Sequence, residues 1–265
     1  LLCLGPMTYK SDSSQDNWEE GELDNPIGRT AWVLNSITKE LTIRSPIVTS
    51  GEGNPSWHDI PGDIEYAIML DGVTSICDRA FRYHTSLRSV QMPKSIKSIG
   101  SDAFAYCERL ESITIPDSVE TIGHGAFFVC KFASIKIPRS VVSFGGNPFI
   151  SDFLFYRYWR MELIDISENP NFIFVDGVLF NKEMTQIIWC STNKSGNYEI
   201  PNTVKTIGGS AFTSQRKLTS IGIPDSITEI PNWVFSNCYG LKGVTIPSSV
   251  IRIGVYAFSN CSSLM

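Results

Sequence analysis

The chain has 265 residues, 42% of them hydrophobic, and a formal net charge of −5, so it can bury a core of its own in one or two domains. Lys and Arg form no stripe that would attract phosphates, which excludes nucleic acid as an expected partner. No apolar run approaches the roughly 20 residues of a membrane-spanning helix.

The first residues, LLCLGP, are apolar and do not begin with Met; a remnant of a secretory signal and an ordinary N-terminal strand both fit them. KSDSSQDNWEEGELDNP, residues 10 to 26, is polar and acidic, which makes residues 1–27 an expected flexible lead-in.

From residue 71 onward one phrase recurs. PKSIKSIGSDAFAYC (93 to 107), PDSVETIGHGAFFVC (116 to 130), PDSITEIPNWVFSNC (224 to 238) and PSSVIRIGVYAFSNC (247 to 261) are copies of one unit. Pro93 to Pro116, Pro201 to Pro224 and Pro224 to Pro247 are each 23 residues, and Pro116 to Pro138 is 22. A period of this size predicts a solenoid, with a leucine-rich repeat at the short end of its range.

Each slot of the unit has a physical task. Alternation around Ile113 predicts a short strand with one face inward, so that Ile113 and Ile115 lie beside Val90 and Met92 on one side and Ile135 and Ile137 on the other. Pro ends the strand because it has no N–H to give. Ser95, Ser118, Ser140, Ser226 and Ser249 can satisfy backbone groups at the turn between coils. Gly100, Gly123, Gly145, Gly208 and Gly254 suit a tight bend, and the Ala-Phe pairs fill the space behind the strand. Cys107, Cys130, Cys238 and Cys261 share one slot, where buried thiols are favoured over disulfides because identical slots aim their Cβ atoms the same way.

Interruptions are as informative as the repeat. Cys77 and Pro231 stand in the bend-Gly slot, and Pro148-Phe149 stands for Ala-Phe. The stretch FLFYRY, residues 153 to 158, is inserted in the fourth coil, and SSLM at the end starts a strand without a closing cap, the pattern expected of a fragment.

Nothing in the sequence carries chemistry of its own. G-x-S-x-G, phosphate-cradling, H-E-x-x-H and calcium-loop patterns are absent, and no zinc-type spacing occurs among the seven Cys and three His. The reading is non-catalytic, with no cofactor or metal site; His58, His84 and His124 read as packed or solvent-facing residues. Asn193-Lys194-Ser195 and Asn260-Cys261-Ser262 are glycosylation-type triplets of the kind chance supplies.

The candidate protein-binding residues are those facing outward between the inward strand positions: Arg88, Gln91, Glu111, Thr114, Lys136, Lys242 and Thr245. Phe155, Tyr156, Tyr158 and Trp159 of the aromatic insert join them, since interface energy concentrates in aromatic anchors.

These residues resemble the BspA-like leucine-rich repeat surface proteins of host-associated bacteria and parasitic protists, over residues 28 to 265. GRTAWVLNSITKELTIRS (28 to 45), NPSWHDI (54 to 60) and DGVTSI (71 to 76) resemble the family's N-terminal β cap, and ENPNFIFVDGVLFNKEMTQIIWC (168 to 190) resembles its inserted hairpin. The expected fold is thus a right-handed α/β repeat solenoid with a parallel β-sheet on one face. A lead-in (1–27), a β cap (28–70) and a repeat stack (71–265) make up the chain, with insert and hairpin within 153–190. The resemblance implies an extracellular or cell-surface adhesion module that contacts host matrix or surface proteins. A scaffold inside the cell or periplasm, or a targeting module of a larger enzyme, remains the alternative.

Overall fold

The computed structural model describes residues 18–21, 32–35, 37–44, 64–150 and 163–265. Each coil has three sides, set by where its Pro, Gly and Ala-Phe fall.

On the first side lie the longer strands. Trp18–Gly21, within the stretch read as lead-in, pairs antiparallel with Trp32–Asn35, which pairs antiparallel with Glu40–Ile43. From there pairing is parallel: Glu40–Ile43 with Tyr66–Met69, and Tyr66–Met69 with Ser89–Gln91. Further along, Ser134–Lys136 pairs with Leu163–Asp165, and Gly196–Glu199 with Leu218–Gly222 and Gly243–Thr245. Residues 111–116 are not a strand, so Ile113 and Ile115 have no ladder partner on either side. Leu110 and Ile115 nonetheless stay buried. The interruption falls where the next coil is one residue shorter: Phe132 follows Cys130 by two positions, where Leu110 follows Cys107 by three.

After each Pro the chain makes a second, two-residue rung. Ser75–Ile76, Ser98–Ile99, Thr121–Ile122 and Ser143–Phe144 stack in parallel. Coils approach so closely at the bend that a Cβ on Gly123 would lie 2.4 Å from Ser101 N, and only Gly fits. At the turn before the rung, Ser95, Ser226 and Ser249 donate to the carbonyls of Val73, Val204 and Ile227 in the preceding coil. The hydroxyls of Ser118 and Ser140 have no such bond among the described residues.

The third side corrects the α/β expectation, because the described residues contain no helix. Residues in the left-handed region recur at every fourth position: Arg79 and Tyr83, Asp102 and Tyr106, Ser210 and Ser214, Trp233 and Asn237. One such residue per four ends any helical turn before it can propagate. Two kinds of bond replace the helical ones. Arg79, Phe81 and Tyr83 N–H groups reach across to the carbonyls of Ser101, Ala103 and Ala105, while Arg82 and His84 N–H close tight turns onto Arg79 and Phe81. The result is a stack of turns bonded coil to coil. Inside it Phe81, Phe104, Phe127 and Phe149 form a ring ladder at 5.3, 6.0 and 6.1 Å, each contact adding about 0.5–1.5 kcal/mol beyond burial.

The hairpin stands inside this stack. Phe172–Val175, Val178–Asn181 and Gln186–Cys190 pair antiparallel in order, and Gln186–Cys190 continues in parallel to Thr206–Ile207. Leu179, Ile188 and Trp189 pack into the core of the first coils, whereas Val178, Phe180, Ile187 and Cys190 pack into that of the later ones. Its middle and returning strands are therefore an interior wall buried on both faces, and their consecutive apolar residues follow from that.

Candidate protein-binding face

Gln91, Lys136 and Thr245 lie on the longer strands, Arg88 and Lys242 immediately before them, and Glu111 and Thr114 in the stretch that is not a strand. Arg88, Gln91, Glu111, Thr114, Lys136, Lys242 and Thr245 are all exposed. Register aligns Gln91 with Ile68, Lys136 with Asp165, and Thr245 with Gly222, which is itself aligned with Glu199. The inward partners Val90, Ile135 and Ile221 fill the core behind them, which fixes the outward set rigidly.

Two of the four charges on this face pair with neighbours. Arg88 Nε donates to Glu65 at 2.8 Å and Lys136 Nζ to Glu168 at 2.8 Å. Glu168's hydrogen bond holds the Lys136 ammonium above its ordinary range. Such exposed pairs add little stability but hold two long side chains over the sheet. Between Glu199 and Thr245 the surface is low: a Cβ on Gly222 would meet the Glu199 carboxylate, which lies across it.

Phe155, Tyr156, Tyr158 and Trp159 lie outside the described residues, as does His58. The structure thus exposes all seven residues, of which Gln91, Lys136 and Thr245 lie in strands, and does not describe the aromatic group. His84 meets Phe81 edge to face at 5.7 Å. Burial holds His124 below its ordinary pKa, and its Nδ1 lies 2.6 Å from where a Cβ on Gly146 would be.

The cysteine slot has a hydrogen-bonding reason. Cys107, Cys130, Cys238 and Cys261 each point Sγ at the carbonyl of Phe81, Phe104, Phe212 and Phe235, at 3.1, 3.1, 3.1 and 3.0 Å. Gln215 fills the same slot and donates Nε2 to Cys190 O at 2.9 Å. Cys107 and Cys238 are buried, Cys130 and Cys261 half-buried, and burial pushes the Cys107 and Cys130 thiols up. Among the described residues no cluster of His, Cys, Asp or Glu is placed to hold a metal ion.

Sequence reasoning missed an aromatic edge on the turn side. Tyr83 stacks on Tyr106 at 4.6 Å, Tyr106 meets Phe128 at 4.9 Å, and Arg82 lies over Tyr83. Trp233 and Tyr256 form a second pair at 4.4 Å. The signal was available in the aligned units: Tyr83 and Tyr106 precede the cysteine slot, and Trp233 and Tyr256 precede the small residue of Ala-Phe.

The profile of the BspA type leucine rich repeat region matches residues 74–195 and 182–265, in six copies. No curated protein matches the chain. Among solved structures, the pneumococcal vaccine antigen PcpA shares 18% identity at a TM-score of 0.63, over 98% of this chain and 80% of PcpA. A leucine-rich repeat protein from Eubacterium ventriosum shares 19% at 0.55, over 88% and 87%. A leucine rich cell surface protein from Faecalibacterium prausnitzii shares 22% at 0.50, over 98% and 88%. The repeat period, the stacked parallel rungs and the profile match agree: this chain belongs to the family of BspA-type leucine-rich repeat proteins.

Proposed function

We propose that the chain is a non-catalytic protein-binding module displayed outside the cell, which holds a host matrix or cell-surface protein against the outer face of its longer strands. The observation that carries this reading is the set from Arg88 to Thr245, exposed at each of its seven positions on or beside longer strands whose inward residues pack into the core. A rigid face of this kind binds without reorganising, which lowers the entropic cost of association. Two of the solved structures of this fold are described as a vaccine antigen and a cell surface protein, which supports display outside the cell.

Immobilised extracellular-matrix proteins, titrated with the purified chain by surface plasmon resonance, test the reading. Thr114→Arg with Thr245→Arg places bulk and charge on the face without entering the core. Binding should fall at least tenfold in the double variant with the unfolding midpoint unchanged. Equal binding by wild type and variant would overturn the choice of face, and no binding to any matrix or host surface protein would overturn the adhesion reading.

A further inference from the structure

The ladder of short rungs breaks twice among the described residues: between Thr206–Ile207 and Glu229–Ile230, which follow one another in consecutive coils, and after Ser143–Phe144, where a cleft opens. In the first coils each rung offers two carbonyls to the rung above. Lys97 O and Ile99 O accept from Glu120 N–H and Gly123 N–H, both at 2.8 Å; Glu120 O and Ile122 O accept from Val142 N–H and Gly145 N–H, both at 2.9 Å. Carrying the same step forward makes Val142 O and Phe144 O the next two acceptors. Neither has a donor among the described residues, and Ser143–Phe144 is the edge of its sheet.

The chain does not supply the donors because it turns away into the hairpin. Asn169 and Asn171 spend their side-chain amides on Val141 O, one residue earlier, and Phe172 begins the hairpin's own edge strand. Between the two edges lies a cleft of about 340 Å³, bounded on its far side by Asn181, Lys182 and Gln186. Phe144 and Phe172 meet there at 4.8 Å. Its coil neighbours show what is missing at Phe144: Ile99 and Ile122 in the same slot are 1% and 0% exposed, whereas Phe144 is only half-buried.

We propose that this cleft docks an extended peptide segment of a partner protein, which enters as the missing parallel rung beside Ser143–Phe144. The rungs already present define its chemistry. Ser75, Ser98, Thr121 and Ser143 face outward, and Ile76, Ile99, Ile122 and Phe144 face inward. The occupant is therefore a four-residue stretch whose N–H groups reach Val142 O and Phe144 O. One β-branched or aliphatic side chain lies on Phe144 and Phe172, and a small polar one faces solvent. Main-chain bonds supply affinity and the single inward pocket supplies selectivity. This site is on a different side of the coil from the longer strands, so it stands or falls separately from the face described above.

The chain's own rung supplies a probe. An acetylated, amidated hexapeptide with the sequence of Ser118–Gly123, SVETIG, is titrated in millimolar excess into the ¹⁵N-labelled chain. Amide shifts should appear at Ser143, Phe144, Gly145 and Phe172. N-methylation of the peptide's Glu or Gly amide, the two that face the carbonyls in this register, should weaken binding at least tenfold, and N-methylation of its Ile amide should leave it within twofold. Gln186→Trp, a change at an exposed lining position, fills the cleft and should abolish the shifts while the unfolding midpoint holds. The face variant, Thr114→Arg with Thr245→Arg, should bind the peptide as wild type does. Absence of shifts at Ser143–Gly145, equal sensitivity to all three N-methyl groups, or retained binding in Gln186→Trp would each overturn the proposal.

Discussion

Asn147 Nδ2 donates to Ser210 O at 2.8 Å across 63 residues of sequence, while its Oδ1 accepts from Phe149 N–H at 2.8 Å. This buried amide ties the coil before the hairpin to the coil after it, on the side where a row of turns would otherwise run straight through. Asn147→Ala leaves Ser210 O and Phe149 N–H without these partners and should cost about 1–3 kcal/mol. Asn147→Asp, which keeps the acceptor and loses the donor, should also destabilise. Urea unfolding of the three proteins checks both.

The interior wall predicts a contrast between two tryptophans. Trp189 is 3% exposed and packs on Phe149 and Phe174 at 5.3 and 5.9 Å. Trp189→Ala should cost about 3–5 kcal/mol. Trp233 is 45% exposed and contributes mainly its ring contact with Tyr256, so Trp233→Ala should cost less than about 1.5 kcal/mol. Equal losses in thermal or urea unfolding would contradict the wall.

Thiol reactivity should be ordered. Cys107 and Cys238 are 0% exposed and should resist maleimide until the chain is denatured. Cys261 is half-buried, and hydrogen bonding with Cys238 holds it below its ordinary range, so it should label before Cys107, Cys130 and Cys238, and at lower pH. Peptide mapping after timed labelling reads the order, and early modification of Cys107 would contradict it.

Acid should weaken the fold partly through His124. Burial lowers its pKa from the ordinary 6.5, so the folded chain favours the neutral ring. The stability this contributes is present above the unfolded value and is lost as pH falls through the lower folded value. His124→Gln should therefore flatten the fall in stability below about pH 6.5 relative to wild type. Urea midpoints measured from pH 7 to 5 test this, and parallel curves for the two proteins would refute it.

Much of the architecture was determined by the sequence alone, because a solenoid repeats one local problem. The spacing of Pro93, Pro116, Pro224 and Pro247 established the period, inward Leu110, Ile115, Ile122 and Phe127 established the core, and Gly123 marked the bend where coils touch. Those features depend on nearest neighbours in the stack, which have nearly the same sequence. The tertiary structure decided what depends on unlike segments meeting. The α/β expectation failed on the turn side, where Asp102 and Tyr106 adopt left-handed backbone and their N–H groups bond His124 O and Phe128 O in the next coil. Val178, Leu179 and Phe180 announce a strand buried on both faces, yet only the packing shows that it separates two cores. The missing rung beside Phe144 and the bond from Asn147 to Ser210 were illegible for the same reason: each joins residues whose sequence separation is set by the hairpin and insert, where the period no longer predicts who stands next to whom.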